Sequence, residues 1–167
     1  MQQIFTIGYE GADIEDFLAT LKQMRVDLVL DIRELPISRR KGFAKTALTA
    51  HLTRSGIAYR HEKRLGAPTP IRHRLRDNKN YPQYFQDFQA YMDTQVQWLE
   101  TLPQTLPRTI VLLCYERDHT TCHRSVVADR LGKITGLKPR HLGVKKDVAK
   151  QLHNHSLLDI SQSLSAA

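Results

Sequence analysis

Two stretches of this chain leave little choice of architecture. Val26-Asp-Leu-Val-Leu-Asp-Ile32 and Thr109-Ile-Val-Leu-Leu-Cys-Tyr115 are short and almost continuously apolar. Runs of that length are strands, and strands without polar alternation are covered on both faces. Such strands belong to a parallel sheet sandwiched between helices. The rest of the chain supplies the partners. Residues 4–8 and 57–61 read as further strands, and 139–142 as a last one. Asp13 caps a helix whose Ile14, Phe17, Leu18 and Leu21 keep helical spacing, with Asp16 three residues after the cap. Residues 46–55, 81–102, 122–131 and 147–153 read as helices, the second being the longest, and Gly56 and Gly132 as stops. Residues 62–80, polar and basic with Pro68 and Pro70, read as a long loop. The expected fold is one three-layer, Rossmann-like α/β domain over residues 1–155. Its sheet is mostly parallel with helices on both faces, and a flexible tail over 156–167 follows.

Charge narrows the function classes. The formal excess is +8 over 167 residues, and it is local. Between Asp31 and Arg76 there are 12 bases, nine of them Arg, against the three acids Asp31, Glu34 and Glu62. The planar guanidinium fork suits phosphate and carboxylate, so this zone favours nucleic acid or another phosphate-bearing partner. The competing reading is a solubilising face whose bases pair with acids from elsewhere in the chain. No apolar run is long enough for a membrane span, no signal peptide is visible, and two cysteines do not make a secreted disulfide framework. A cytoplasmic location with no membrane partner is expected; the oligomeric state stays open.

In parallel α/β folds ligands bind beyond the carboxyl ends of the strands. Gly8, Tyr9 and Glu10 follow the first predicted strand. Asp31, Arg33, Ser38, Arg39 and Arg40 follow the second, and His61 and Glu62 the third. Glu116, Cys122, His123 and Arg124 follow the fourth. Asp31, Glu116, Cys122 and His123 are the candidate catalytic groups. Gly8, Tyr9, Arg33, Ser38, Arg39, Arg40, Phe43 and Arg124 are the candidate nucleic-acid or anion-binding groups. Tyr9, Phe43 and Tyr81, each beside a turn or loop, are candidates to stack bases.

Cys122-His-Arg-Ser125 is the sharpest local feature, since it opens a predicted helix directly after a turn. Free N–H groups there, Thr120 or Thr121 as cap, and Arg124 together suit an anion. A cysteine at that point is expected to have a lowered pKa and to be a candidate nucleophile. The bland alternative packs Cys122 as a small apolar residue and pairs Arg124 with Asp31 or Glu116. A cysteine-phosphatase loop is excluded, because Thr120 and Ala128 stand six residues after Cys114 and Cys122 where that loop needs Arg. The spacing Cys-x7-Cys-His fits no specific zinc pattern, so zinc is not expected and no metal ligands are assigned. A hard divalent cation held by Asp31, Glu116 and Glu10 stays open. These carboxylates can equally neutralise Arg33, Arg39 and Arg124.

Thr6-Ile-Gly-Tyr-Glu-Gly11, Asp31-Ile-Arg-Glu-Leu-Pro36 running into Ser38-Arg39 and Gly42-Phe43, Leu65-Gly66, Leu113-Cys-Tyr-Glu116 and Cys122-His-Arg124 occur in the order seen in the domain-of-unknown-function 488 family. The chain resembles that family over residues 4–143. The resemblance implies an α/β fold and names no reaction. It implicates Gly8, Tyr9, Asp31, Arg33, Pro36, Ser38, Arg39, Phe43, Gly66, Cys114, Glu116, Cys122, His123 and Arg124. Tyr115 departs from the small residue common in the family pattern and would narrow a pocket. A looser likeness to rhodanese domains rests on the Asp-x-Arg and a later strand-end cysteine, but Cys114-Tyr-Glu-Arg-Asp-His is too acidic for their anion cradle.

Three functional readings follow. The first is binding or processing of nucleic acid through the basic zone and a phosphate-binding strand-end pocket. The second is a small-molecule enzyme with a cysteine nucleophile. The third is a binding or adaptor domain whose Asp–Arg–Glu cluster only fixes the fold.

Overall fold

The computed structural model describes residues 3–153, so the expected tail over 156–167 lies outside the described residues. Among these residues five strands form one sheet: β1 (Gln3–Gly8), β2 (Leu28–Asp31), β3 (Ala58–His61), β4 (Thr109–Cys114) and β5 (Arg140–Leu142). Their order is β3-β2-β4-β1-β5, and every pairing is parallel.

The continuous apolar runs do what their composition requires. In β2, Leu28 and Leu30 face one layer and Val29 the other. In β4, Ile110 and Leu112 oppose Val111 and Leu113 in the same way. The side chains alternate with the pleat, yet both sets are buried. One layer is α1 (Ile14–Gln23) and α2 (Lys45–Arg54), which pack Phe17, Leu21, Leu48 and Leu52 on the sheet. The other layer is α4 (Tyr81–Asp93), α5 (Val96–Thr101) and α6 (Arg124–Thr135), which contribute Phe88, Met92, Leu99, Val127 and Leu131. Together they make the three-layer α/β fold expected from the sequence. Asp13 caps α1 as anticipated, accepting from the Asp16 N–H.

Three local expectations change. The segment 62–80 is not a loop: after a 3-10 turn at Lys63–Leu65 it forms α3 (Thr69–Asn78). Pro70 sits in the first turn of α3, where a missing N–H costs nothing. The long helix over 81–102 is two helices, interrupted at Thr94-Gln95, while Met92 and Leu99 still meet the same core. The helix expected from Cys122 to Leu131 begins at Arg124 and continues to Thr135. It passes Gly132, where a Cβ would meet the Leu137 carbonyl at 2.8 Å, and stops at Gly136 in the left-handed region. Residues 148–153 are helical. Asp16 accepts from the N–H groups of Asp147 and Ala149 at 2.8 and 2.9 Å, which pins that segment to α1. Among the described residues no helix is long and apolar enough to cross a membrane.

Candidate functional site

The carboxyl ends of β1, β2 and β4 open into a cleft of about 800 Å³. Its basic side is built from the turn after β2 and from α3. Arg33, Arg39, Arg40, Arg72, Arg76 and Lys79 line it, against the carboxylates Glu34 and Glu116. Tyr81 and Tyr115 stand at the cleft with 40% and 47% of their surfaces exposed. Tyr84 is buried, with an edge on the cleft. Burial, then Cys122, Glu116 and Cys114, push its phenol pKa upward, so it stays a neutral donor. Cys114, Glu116 and His123 reach the cleft from the end of β4 and the loop before α6.

The anticipated residues divide into two groups. Ser38, Arg39, Arg40, Glu116 and His123 are at the cleft. Ser38 Oγ accepts from the Arg40 N–H at 3.1 Å and shapes the turn, and the Arg40 Nε donates to the Ala12 carbonyl. Asp31 is fully enclosed. Its carboxylate accepts from Arg33 Nε at 2.8 Å, Arg33 Nη2 at 2.5 Å and the Tyr59 hydroxyl at 2.7 Å. Arg33 Nη1 donates to Tyr9 Oη at 3.0 Å and to the Phe43 carbonyl at 2.9 Å. Burial opposes the Arg33 charge, but Asp31 outweighs it and raises the pKa further. Asp31 and Arg33 thus hold β2 to its following turn, and the guanidinium edge of Nε and Nη2 is taken up by the carboxylate.

Arg124 is likewise committed. It is 1% exposed and donates to the Glu116 carbonyl, to the Arg117 carbonyl at 2.9 Å and to Thr6 Oγ1 at 3.3 Å. These bonds tie it to the turn that carries Glu116. Gly8 serves the same turn, because a Cβ there would lie 1.8 Å from the Glu116 carbonyl oxygen. Gly66 lets its strand exit cross Glu34, whose backbone N a Cβ would meet at 2.4 Å. Phe43 is core: it stacks on Tyr9 at 4.4 Å and meets Phe17 edge-on. Tyr9 is buried too, whereas Tyr81 and Tyr115 keep exposed ring surface at the cleft.

The floor is a buried cluster. Cys114 and Cys122 both donate to Glu116 Oε2, at 2.9 and 3.1 Å. His123 Nδ1 lies 3.8 Å from Cys114 Sγ and 4.0 Å from Cys122 Sγ. Among the described residues, Cys114, Cys122 and His123 form a group of potential metal-binding atoms within 4.8 Å of one another. The lowered cysteine pKa expected at a helix start is not found. Burial, then Cys114, hold the Cys122 thiol well above its ordinary value, and α6 begins only at Arg124. Burial also acts against ionised Glu116, but hydrogen bonds from the two thiols outweigh it and lower its pKa.

Pairing explains part of the basic zone. Arg33 with Asp31, Arg60 with Glu62 and Arg72 with Glu34 use all three acids of the segment, and Arg74 reaches Asp87 in α4. Arg39 and Lys79 have no acid partner within ion-pair distance among the described residues, and Arg76 has only exposed Asp77 at 3.7 Å. The contribution of α3 to this wall was missed from sequence, where only Ile71 and Leu75 four residues apart hinted at a helix. A family model described as domain of unknown function DUF488 matches residues 13–131. No curated protein and no solved structure matches the chain.

Proposed function

The chain belongs to the DUF488 family, and on that footing we propose that it binds single-stranded nucleic acid at the strand-end cleft. One observation carries the reading: cationic residues from two separate elements converge on a concave site that aromatic rings also line. Arg39, Arg76 and Lys79 hold the phosphates, and Tyr81 and Tyr115 offer faces to bases. A cleft of about 800 Å³ has the size of a small-ligand site, so one nucleotide enters while the backbone tracks the basic rim. Glu116 is the carboxylate placed to take or return a proton there.

Fluorescence polarisation with labelled single-stranded DNA and RNA at low salt tests this. Saturable binding is expected, with a log–log salt slope of about −2 for three phosphate contacts to a single strand. Arg39→Ala with Arg76→Ala should weaken it at least about tenfold while the thermal melt is kept. A flat titration with both polymers refutes the proposal.

A further inference from the structure

We propose that Cys114, Cys122 and His123 bind a zinc-class divalent cation at the floor of the cleft. Linear spacing gives no such signal; the fold does. Cys114 ends β4, and Cys122 and His123 lie on the loop that returns beside it before α6. A tetrahedral zinc with bonds of about 2.3 Å to sulfur and about 2.0–2.1 Å to nitrogen places those atoms roughly 3.6 Å apart. The two sulfur–nitrogen separations, 3.8 and 4.0 Å, need only a few tenths of an ångström of contraction.

The imidazole is already set for this. His123 Nε2 lies 3.1 Å from the Ile32 carbonyl oxygen, an acceptor only, so Nε2 carries the hydrogen. In the neutral imidazole, the form that ligates a metal, Nδ1 is then the bare nitrogen, and it faces the two sulfurs. A metal-ligating histidine is characteristically held through its other nitrogen in this way. The Arg124 N–H approaches Cys122 Sγ at 3.5 Å, an outer contact that suits a thiolate. All three ligands are buried, and soft sulfur with imidazole selects zinc over magnesium or calcium.

Binding needs no redox partner. Each thiol loses its proton as its sulfur–metal bond forms, and Glu116, which already accepts from both, passes the two protons to solvent. The two thiolates then balance the dication. Three protein ligands leave a fourth position, and Cys114, Glu116 and His123 all reach the cleft. That position is therefore open to water, to the Glu116 carboxylate or to a ligand oxygen, the pattern of a catalytic more than a structural zinc.

The test uses the full chain, reduced and metal-free, titrated with cobalt(II) and then zinc(II), with no oligonucleotide present. Its result is thus independent of the nucleic-acid reading. One equivalent of cobalt should give a thiolate-to-metal charge-transfer band and the intense visible bands of a tetrahedral site, both abolished by zinc. Cys122→Ser and, separately, His123→Ala should weaken cobalt binding by at least about 100-fold, beyond the loss expected for an outer-shell partner. Circular dichroism checks that each variant is folded. Saturating cobalt without a charge-transfer band in the wild-type chain overturns the proposal, whatever the variants do. So does a band that survives in both folded variants.

Discussion

Asp31→Asn is the perturbation that separates a structural carboxylate from a functional one. The amide keeps the shape but puts an NH2 where an oxygen now accepts either the Arg33 N–H and Nε, or Arg33 Nη2 and the Tyr59 hydroxyl. It also leaves the Arg33 guanidinium, 6% exposed, without its counter-charge. Removing one partner of a buried ion pair costs about 3–5 kcal/mol. Domain stabilities run at about 5–15 kcal/mol, so the variant should stay folded at low temperature with much of its margin gone. For a chain of this size the midpoint should fall by about 2–4 °C per kcal/mol, hence roughly 6–20 °C. Urea unfolding followed by circular dichroism reads the loss, with an unchanged m-value indicating that the denatured state is unaltered. The double variant Asp31→Asn with Arg33→Met should recover part of it, since the stranded charge is then absent. An Asp31→Asn protein as stable as wild type, yet unable to bind oligonucleotide, would refute the structural role.

Gly8→Ala should destabilise the chain by about 1–3 kcal/mol or more, because its methyl would displace the Glu116 carbonyl that packs on β1. A wild-type melting temperature would show that the turn can move freely. Acid should loosen the docking of residues 147–153 first. Hydrogen bonds from Ala149, then Asp147, outweigh burial and lower the Asp16 pKa. Its stabilising effect is therefore complete above the unfolded value of about 3.9 and lost as the pH falls through the lower folded value. Hydrogen exchange at Ala149 should accelerate over that acid window, and Asp16→Asn should abolish the dependence.

The strands and the layer order were legible because burial on both faces writes itself into Leu28–Asp31 and Thr109–Cys114 as uninterrupted apolar sequence. Helix α3 was hidden because none of its residues is fully buried and Pro68 and Pro70 at its start imitate a loop. Gly132 looked like a stop because the approach of Leu137 and Pro139, which makes a glycine useful there, is a tertiary contact. At the site, the strand-end rule found the right edge of the sheet, but polarity could not say which groups were already satisfied. Asp31 and Arg33 are paired with each other, and Arg124 is held by the Glu116 and Arg117 carbonyls and by Thr6. Arg76 and Lys79, which reach the cleft, looked like loop charge. The approach of Cys114 to Cys122 and His123 depends on the path between β4 and α6, which no linear spacing encodes.

Backbone amide shift mapping with a short single-stranded oligonucleotide reads directly whether the ligand sits on the basic rim of the strand-end cleft. Perturbations concentrated at Ser38–Arg40, Arg76–Tyr81 and Tyr115–Glu116 are expected as the oligonucleotide is added. Perturbations centred instead on the basic residues of α2, Lys45 and Arg54, with the cleft residues unmoved, would contradict that placement.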